Sequence, residues 1–205
     1  MLESCRKHKI KLFHISTDEV YGDIKKGSYT EKDKMNPKNP YSATKSSAEH
    51  FVTSYANTYG VEYLIVRPSN NFGPRQHNEK LLPTVIGKIL SNNKIPIYGN
   101  GKNIREWTYV KDTVKSIEYI LQNSSLNEVY NISHNLEKEN LTIVKKVCDI
   151  MGVDFNKKIT FIEDRPGHDF RYSVNSDKLL NLGFKFNCDF DKNLKETIEY
   201  YKNNL

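Results

Sequence analysis

A strand–helix–strand pattern near the N-terminus constrains the fold of this chain more than any other feature. Residues 11–16 are short, mostly apolar and bounded by polar residues, which predicts a buried strand. Asn39 and Pro40 provide a helix N-cap and first residue, and apolar residues then recur at spacings of three and four until Gly60. Residues 61–67 predict the next strand. A helix of this length between two strands is typical of a βαβ unit, which predicts a parallel sheet.

The remainder of the chain predicts an α/β fold in which elements alternate less regularly. We expect further helices over 82–90, from a cap at Asp112, from a cap at Thr142 to Met151, from a cap at Ser176 to Leu182, and over 194–201, with strands over 129–132 and 159–162. The predicted architecture is a Rossmann-type parallel sheet with a smaller C-terminal lobe. Residues 1–75 belong to the sheet, and residues 76–205 belong mainly to the lobe, with some segments returning to the sheet.

The start of the chain lacks the feature with which a doubly wound sheet begins. Residues 1–5 resemble the tail of a helix that runs directly into a strand, and neither G-x-G-x-x-G nor G-x-x-G-x-x-G occurs in the sequence. Because each βαβ unit takes about 30 residues, we expect an N-terminally truncated chain whose sheet lacks its N-terminal strands, roughly 100 residues in all.

Charge and cysteine content narrow the classes of partner. The chain of 205 residues has 31 basic and 25 acidic residues, a net charge of +6, and its basic residues are scattered. This favours a solvated surface and an anionic small molecule over nucleic acid. Cys5, Cys148 and Cys188 have no metal-ligand spacing, so we expect reduced thiols and no metal site. No apolar run suggests a membrane span or a signal peptide, and we expect a soluble, cytoplasmic protein.

Two short motifs carry groups suited to acid–base chemistry. Tyr41 and Lys45 lie four residues apart and therefore share a helix face. A neighbouring ammonium group, together with the positive ring of an oxidised nicotinamide, is expected to lower the phenol pKa from about 10 and to make Tyr41 a base. Asp18 and Glu19 follow the first predicted strand directly. A solvated turn at the end of that strand is the alternative for this pair.

Taken together and in order, the motifs of this chain resemble those of nucleotide-diphosphate-glucose 4,6-dehydratases, which are extended short-chain dehydrogenase/reductases. The dTDP-glucose type is the most similar, and the UDP-glucose type is close to it. The matching segments are Ser16-Thr-Asp-Glu-Val-Tyr-Gly22, Tyr41-x-x-x-Lys45, Arg67-Pro-Ser-Asn-Asn-Phe-Gly-Pro-Arg-Gln76, Glu79-Lys-Leu-Leu-Pro83, Pro96-Ile-Tyr-Gly-x-Gly101, Ile104-Arg-Glu-Trp107 and Arg165-Pro-Gly-His-Asp169.

The resemblance implies a role for each catalytic residue. Tyr41, supported by Lys45, accepts a hydroxyl proton as hydride leaves C4 of the sugar for bound NAD. Glu19 then removes the C5 proton and Asp18 protonates the departing C6 hydroxyl, for which the pKa of Asp18 must be raised. Thr17 hydrogen-bonds the C4 oxygen. Related epimerases usually have small hydroxyl residues in place of the Asp–Glu pair, and decarboxylases have a Ser–Glu pair.

The resemblance also implies a set of binding residues. Asn71 lies beside the nicotinamide, Tyr41 and Lys45 contact NAD, and Thr17 and Asn70 contact the sugar-nucleotide. The remaining nucleotide and diphosphate contacts are Lys80, Leu81, Pro96, Tyr98, Arg105, Asn140, Arg165 and His168. Trp107 is expected to serve packing, and Arg75 replaces a residue that is more usually apolar or aromatic and is given no role.

Two alternatives remain open at this point. The chain is either a dehydratase or another member of the same superfamily, such as an epimerase or decarboxylase, or it is a catalytically silent fragment that binds nucleotide-sugar. The choice between thymine and uracil also stays open, because a methyl group discriminates by only about 1–3 kcal/mol. Family members typically form homodimers through the Tyr41–Lys45 helix and the long helix before it, and the resemblance implies the same here.

Overall fold

The fold is that of a computed structural model, which describes residues 1–164, 169–187 and 189–205. The helices are α1 Leu2–His8, α2 Pro40–Tyr59, α3 Leu81–Leu90, α4 Val110–Asn123, α5 Asn140–Met151, α6 Phe155–Lys158, α7 Asp177–Asn181 and α8 Phe190–Asn204. The strands are β1 Leu12–Ile15, β2 Tyr63–Pro68, β3 Asn70–Phe72, β4 Ile95–Tyr98, β5 Ile104–Tyr109, β6 Glu128–Ile132, β7 Glu137–Glu139 and β8 Ile159–Ile162.

The main sheet is parallel and has the order β1-β2-β6. In its register Leu12 lies opposite Tyr63, and Leu64 lies opposite Glu128. Helix α2 connects β1 to β2 and packs against β2, as does α4. The predicted βαβ unit and Rossmann-type parallel α/β fold are therefore confirmed, and β6 returns to the sheet from the second half of the chain.

Strands between residues 70 and 162 form two smaller sheets around the largest apolar core. Strand β5 pairs with β3 in parallel and with β7 in antiparallel, and β4 pairs with β8 in parallel. Helices α3, α5 and α8 pack against one another. Trp107 is buried in this core beside Phe72, as expected for a packing residue.

Two helix starts and one helix cap differ from the sequence prediction. Helix α4 begins at Val110, so Asp112 lies inside its first turn, where its carboxylate is buried and lies 3.0 Å from His134 Nε2. Helix α5 begins at Asn140 rather than after Thr142. Ser176 does precede α7, but its hydroxyl accepts the Ser133 N–H at 2.8 Å instead of capping the helix. In the first and third cases a distant partner takes the side chain that the local pattern assigned to a cap.

Two of the strands absent from the prediction, β5 and β7, lack a clear periodic pattern. In β5 every residue after Ile104 is buried, so apolar and polar positions do not alternate. Strand β7 has the sequence Glu-Lys-Glu, and its place is set by pairing with β5. Helix α8 is longer than predicted because Asp189 caps it, accepting the Lys192 N–H at 3.0 Å.

Cys5 and Cys148 are buried free cysteines, as expected, and Cys188 lies outside the described residues. Over 1–164, 169–187 and 189–205, none of the helices is both long and apolar enough to cross a membrane.

A buried ion pair fixes α2 to the main sheet. The guanidinium of Arg67 in β2 donates to the Glu49 carboxylate with N–O distances of 2.5–3.1 Å. The exposed fractions of the two side chains are only 6% and 2%. The Arg67 guanidinium also donates to the Tyr21 hydroxyl at 2.5 Å, which links the pair to the turn that follows β1. The ion pair thereby anchors α2 to the main sheet at Glu49, one helical turn after Lys45.

We predict that Glu49→Gln lowers the free energy of unfolding by about 3–5 kcal/mol, because it leaves the buried Arg67 charge without its counter-ion. Urea denaturation would measure the change. Glu3→Gln is the matched control, since its partner Arg6 forms an ion pair on the surface, where water screens the two charges and little change in stability is expected. Equal losses in the two variants would contradict the prediction.

Candidate active site

The Asp18–Glu19 pair lies at the carboxyl end of β1, in a single 3₁₀ turn. Thr17 is the N-cap of this turn, and its hydroxyl accepts the Glu19 N–H at 3.3 Å. The same hydroxyl donates to Asp18 Oδ1 at 3.2 Å. Asp18 is only 3% exposed, so the alternative of a solvated turn is wrong for this residue.

The surroundings of Asp18 favour its protonated form. Burial raises the pKa of Asp18 from 3.8 to about 8, and the neighbouring charges of Glu19 and Glu106 add to the rise, against opposing effects of Thr17 and Arg105. Asp18 Oδ2 is buried and has no hydrogen-bond partner among the described residues. The expected rise in the Asp18 pKa is therefore confirmed, and at neutral pH this carboxyl group holds a proton that it can donate.

Glu106 contributes to this effect from the adjacent sheet. Its carboxylate accepts from the hydroxyls of Ser133 and Ser173 at 2.6 and 2.7 Å, and the Val174 N–H lies 3.3 Å from both of its oxygens. These bonds fix the buried Glu106 carboxylate in place, and its charge raises the pKa of Asp18.

Tyr41 and Lys45 are presented by the first turns of α2. Asn39 forms a capping box with Ser42, in which the Ser42 N–H donates to Asn39 Oδ1 at 2.9 Å, and Pro40 occupies the first helical position. Tyr41 is 54% exposed. The Lys45 ammonium donates to the Ile15 carbonyl at 2.7 Å, at the end of β1.

The part of the expectation that assigned a lower Tyr41 pKa to Lys45 is wrong, whereas the effect of an oxidised nicotinamide ring on this phenol stays a prediction. Partial burial raises the pKa of Tyr41, and Glu19 raises it further, while a hydrogen bond with Thr17 acts in the opposite direction. The physical reason is that the phenol is partly buried and stands next to Glu19, whereas the Lys45 ammonium is bonded to the Ile15 carbonyl at the end of β1.

A cleft of about 560 Å³ brings most of the expected residues together. The expected residues that line it are Glu19, Tyr41, Asn70, Asn71, Lys80, Leu81, Pro96, Tyr98, Arg105 and Asn140. Thr17, Asp18 and Lys45 do not line it, and Thr17 and Asp18 lie buried next to Glu19. Arg165 and His168 lie outside the described residues.

Strand β3 places its two asparagines in the lining of the cleft. Asn70 lies opposite Trp107 in the register with β5. Asn71 Oδ1 accepts the Thr113 hydroxyl hydrogen bond, and the Asn71 carbonyl accepts from Gln76 Nε2 at 2.7 Å. The side chain and the backbone of Asn71 are thus each fixed by a neighbour.

Arg105 is a buried cation in the wall of the cleft. Its guanidinium donates to the carbonyls of Ile104, Asp169 and Phe170 at 2.7–3.0 Å and lies 4.5 Å from the ring centroid of Tyr172. Burial lowers the pKa of Arg105. The guanidinium is therefore held in a defined orientation beside the acidic pair.

Tyr172 and Asp169 are cleft residues that the sequence analysis missed. The Tyr172 hydroxyl donates to Asp169 Oδ2 and lies 3.5 Å from Glu19 Oε2. Tyr172 comes only three residues after the Arg165–Asp169 motif, so extending that motif was the signal available in the sequence. Gln76, Glu79 and Thr84 also line the cleft and were not assigned a role.

The site can therefore provide two carboxyl groups in different environments beside a phenol. Asp18 is buried with a raised pKa, and Glu19 faces the cleft next to Tyr41. Environments that differ in this way allow one carboxyl group to donate a proton and its neighbour to accept one.

Known proteins show similarity over the whole chain. It is 42% identical over 191 residues to the low-salt glycan biosynthesis protein Agl12 of Haloferax volcanii, covering 93% of this chain and 61% of the relative. It superposes on DesIV, a dTDP-glucose 4,6-dehydratase from Streptomyces venezuelae solved with NAD, with a TM-score of 0.96, 35% identity and coverage of 99% and 63% of the two chains. A UDP-glucuronic acid 4-epimerase from Bacillus cereus gives a TM-score of 0.93, 27% identity and coverage of 100% and 65%.

The chain thus spans about three fifths of the length of the first of these relatives and less than two thirds of the two solved chains. Residues 1–197 match the family model described as GDP-mannose 4,6 dehydratase. This match extends over nearly the entire sequence and includes both the main sheet and the cleft. The chain therefore belongs to the GDP-mannose 4,6 dehydratase family.

Proposed function

We propose that this chain carries the acid–base residues and the nucleotide-sugar cleft of an NAD-dependent nucleotide-sugar 4,6-dehydratase. Its substrate is dTDP-glucose or UDP-glucose, and its product is the 4-keto-6-deoxy sugar. The observation that carries the proposal is a buried Asp18, whose pKa is raised to about 8, directly next to Glu19, which lines the cleft together with Tyr41. An elimination of water requires both an acid and a base in this way, and a simple inversion at C4 does not.

The residues around the cleft fit the nicotinamide side of NAD. Tyr41 and Lys45 would hold the ribose, and Asn71 would face the nicotinamide ring. Asn71 Oδ1 already accepts a hydrogen bond from Thr113. The side-chain N–H groups of Asn71 are therefore the ones that would donate to the nicotinamide. When bound, NAD supplies the acceptor and donor of hydride.

The proton transfers are assigned to residues of this chain. Tyr41 accepts the C4 hydroxyl proton when a positive nicotinamide ring, which would lower its raised pKa, is bound beside it, and Thr17 hydrogen-bonds the C4 oxygen. Glu19 removes the C5 proton, which the C4 ketone has made acidic. Asp18 gives its proton to the C6 oxygen, which leaves as water. Each positioned transfer contributes about 10²–10⁴-fold.

The other cleft residues are proposed to hold the nucleotide-sugar. Arg105 supplies positive charge near the diphosphate, and Asn70 contacts the sugar. The proposed nucleotide contacts are Lys80, Leu81, Pro96, Tyr98 and Asn140, together with Arg165 and His168.

A second function stays open, a nucleotide-sugar-binding unit without activity of its own. It is favoured by the lining of the cleft, which includes the proposed nucleotide contacts Lys80, Leu81 and Tyr98 but not Thr17, Asp18 or Lys45. An epimerase is the third possibility, since a solved UDP-glucuronic acid 4-epimerase shares the fold at 27% identity.

One pair of measurements separates these functions. Isothermal titration of the 205-residue chain with NAD⁺, dTDP and UDP tests binding, and mass spectrometry after incubation with each nucleotide-glucose tests the reaction. Loss of one water from the sugar supports the dehydratase. Nucleotide binding without NAD⁺ binding supports the binding unit, and an isomer of unchanged mass supports the epimerase. Failure to bind either nucleotide would refute the proposed cleft.

We further propose a homodimer formed through α2, on which Phe51 is 62% exposed.

We also propose that residues 1–75 form the catalytic part of an NAD-binding domain, and that residues 76–205 are mainly the substrate lobe. A cytoplasmic location accords with the free thiols of Cys5 and Cys148.

A further inference from the structure

We propose that Tyr201 in the C-terminal helix α8 is a positioning residue for the nucleotide-sugar cleft. Through its hydroxyl group it holds the loop of residues 73–80 in the conformation that presents Gln76 and Lys80 to the ligand. The inference rests on the proposed function, because it assumes that this cleft binds a nucleotide.

The loop has a backbone conformation that needs external support. Arg75 has a φ of +65°, in the left-handed region that residues other than glycine adopt rarely. Gly73 precedes it at φ +146°, where a Cβ atom would lie 2.5 Å from Val110 Cγ1. The loop is therefore pressed against α4 and bent at Arg75, and such a conformation persists only where its surroundings hold it.

The support comes from two hydrogen bonds at Gln76. The Tyr201 hydroxyl donates to the Gln76 carbonyl at 2.6 Å. The Gln76 side chain in turn donates to the Asn71 carbonyl at 2.7 Å. Gln76 thus ties α8 to β3 directly beyond the bend at Arg75.

The later part of the loop is tied to α3. The Lys80 N–H donates to the His77 carbonyl at 2.9 Å, and the Thr84 hydroxyl donates to the Asn78 carbonyl at 3.0 Å. Lys80 and Leu81 follow at once and line the cleft. A change in the position of Gln76 is therefore passed on to the residues proposed to contact the nucleotide.

Helix α8 provides a rigid base for this bond. Its residues Phe190, Leu194 and Ile198 belong to the largest core, and the Phe190 ring lies 5.3 Å from that of Phe72 in β3. Tyr201 itself is 2% exposed. Its hydroxyl is thus fixed in place before any ligand binds, which is what a positioning residue requires.

Tyr201→Phe removes only this hydroxyl group. We expect the dissociation constant for dTDP or UDP, measured by titration calorimetry, to rise about threefold to tenfold, the range for loss of one hydrogen bond. Tyr119→Phe is the matched control, because its hydroxyl donates at 3.1 Å to the Leu182 carbonyl, away from the cleft. Nucleotide affinity within twofold of wild type in Tyr201→Phe would overturn the proposal.

A second variant separates positioning from a general loss of stability. Arg75→Gly relieves the left-handed strain, so in the Tyr201→Phe background it should restore most of the lost affinity. Affinity that stays low in the double variant would count against the proposal.

Hydrogen exchange tests the contact without any nucleotide. The amides of residues 76–80 should exchange faster in Tyr201→Phe than in wild type or Tyr119→Phe. Unchanged exchange refutes the tie from α8. If wild type binds no nucleotide, the proposed function has failed, and faster exchange in this experiment would still support the role of Tyr201 in holding the loop.

Discussion

We expect the stability of the Asp18→Asn variant relative to the wild-type chain to increase as the pH rises. Between pH 4 and pH 9, the difference between the two unfolding free energies should change by roughly 5–6 kcal/mol in favour of the variant. The folded state raises the pKa of Asp18 from 3.8 to about 8. Near pH 4 the carboxyl is largely protonated in the folded state and costs little. As the pH rises, the unfolded chain releases this proton first, so wild-type stability falls until the folded carboxyl also ionises near pH 8. Asn has the same shape and no ionisation, and the variant avoids this loss.

Urea denaturation at pH 4, 7 and 9 would measure the difference. Asp149→Asn, which removes an exposed carboxyl group on α5, is the control and should follow the wild type at each pH. Parallel stability curves for Asp18→Asn and wild type would show that the Asp18 carboxyl does not hold its proton in the folded state. The acid role proposed for Asp18 would then lose its physical basis.

Glu19→Gln is expected to lower the rate of water elimination by about 10²–10⁴-fold, the typical contribution of one positioned proton transfer. The amide has nearly the size of the carboxylate but cannot accept the C5 proton. The Tyr172 hydroxyl, 3.5 Å from Glu19 Oε2, keeps a partner in the amide oxygen. The cleft should therefore keep its shape, and the dissociation constant for the nucleotide should stay within about twofold of wild type.

One further readout and one control variant test the assignment of Glu19 as the base. In deuterated water the wild-type product should contain solvent deuterium at C5, whereas Glu19→Gln should incorporate it at a correspondingly reduced rate. Glu62→Gln, which removes a surface carboxylate that lies 3.9 Å from Lys11 Nζ, should behave as wild type. Full elimination activity in Glu19→Gln would exclude Glu19 as the base.

The parts of the fold that sequence reasoning predicted are those whose signals are local. Asn39, Pro40 and Gly60 fix α2 through nearby backbone groups, and α2 has the predicted bounds. The cap predicted at Asp112 failed because the partner of this residue, His134, lies 22 residues away. Local sequence propensity does not reveal a hydrogen-bond partner so far along the chain.

In the candidate site, too, features set by neighbouring residues were predictable, and features set by distant residues were not. The position of Asp18 followed from its place directly after β1, but part of the rise in its pKa comes from Glu106, 88 residues later, against an opposing effect of Arg105. The effect of Lys45 on the Tyr41 pKa was mispredicted. The spacing of the two residues does not reveal that the Lys45 ammonium donates to the Ile15 carbonyl. Tyr172 reaches Glu19 across 153 positions of sequence, which only the fold brings together.

The strand order of the main sheet has a consequence for biosynthesis. Strand β2 pairs with β1 on one side but with β6, about 60 residues further on, on the other. At about 5–20 residues per second, a ribosome needs roughly 3–12 s to make that stretch. During this interval the apolar edge formed by Leu64, Ile65 and Val66 has no neighbour, so the nascent chain should be a target for ribosome-associated chaperones until β6 emerges.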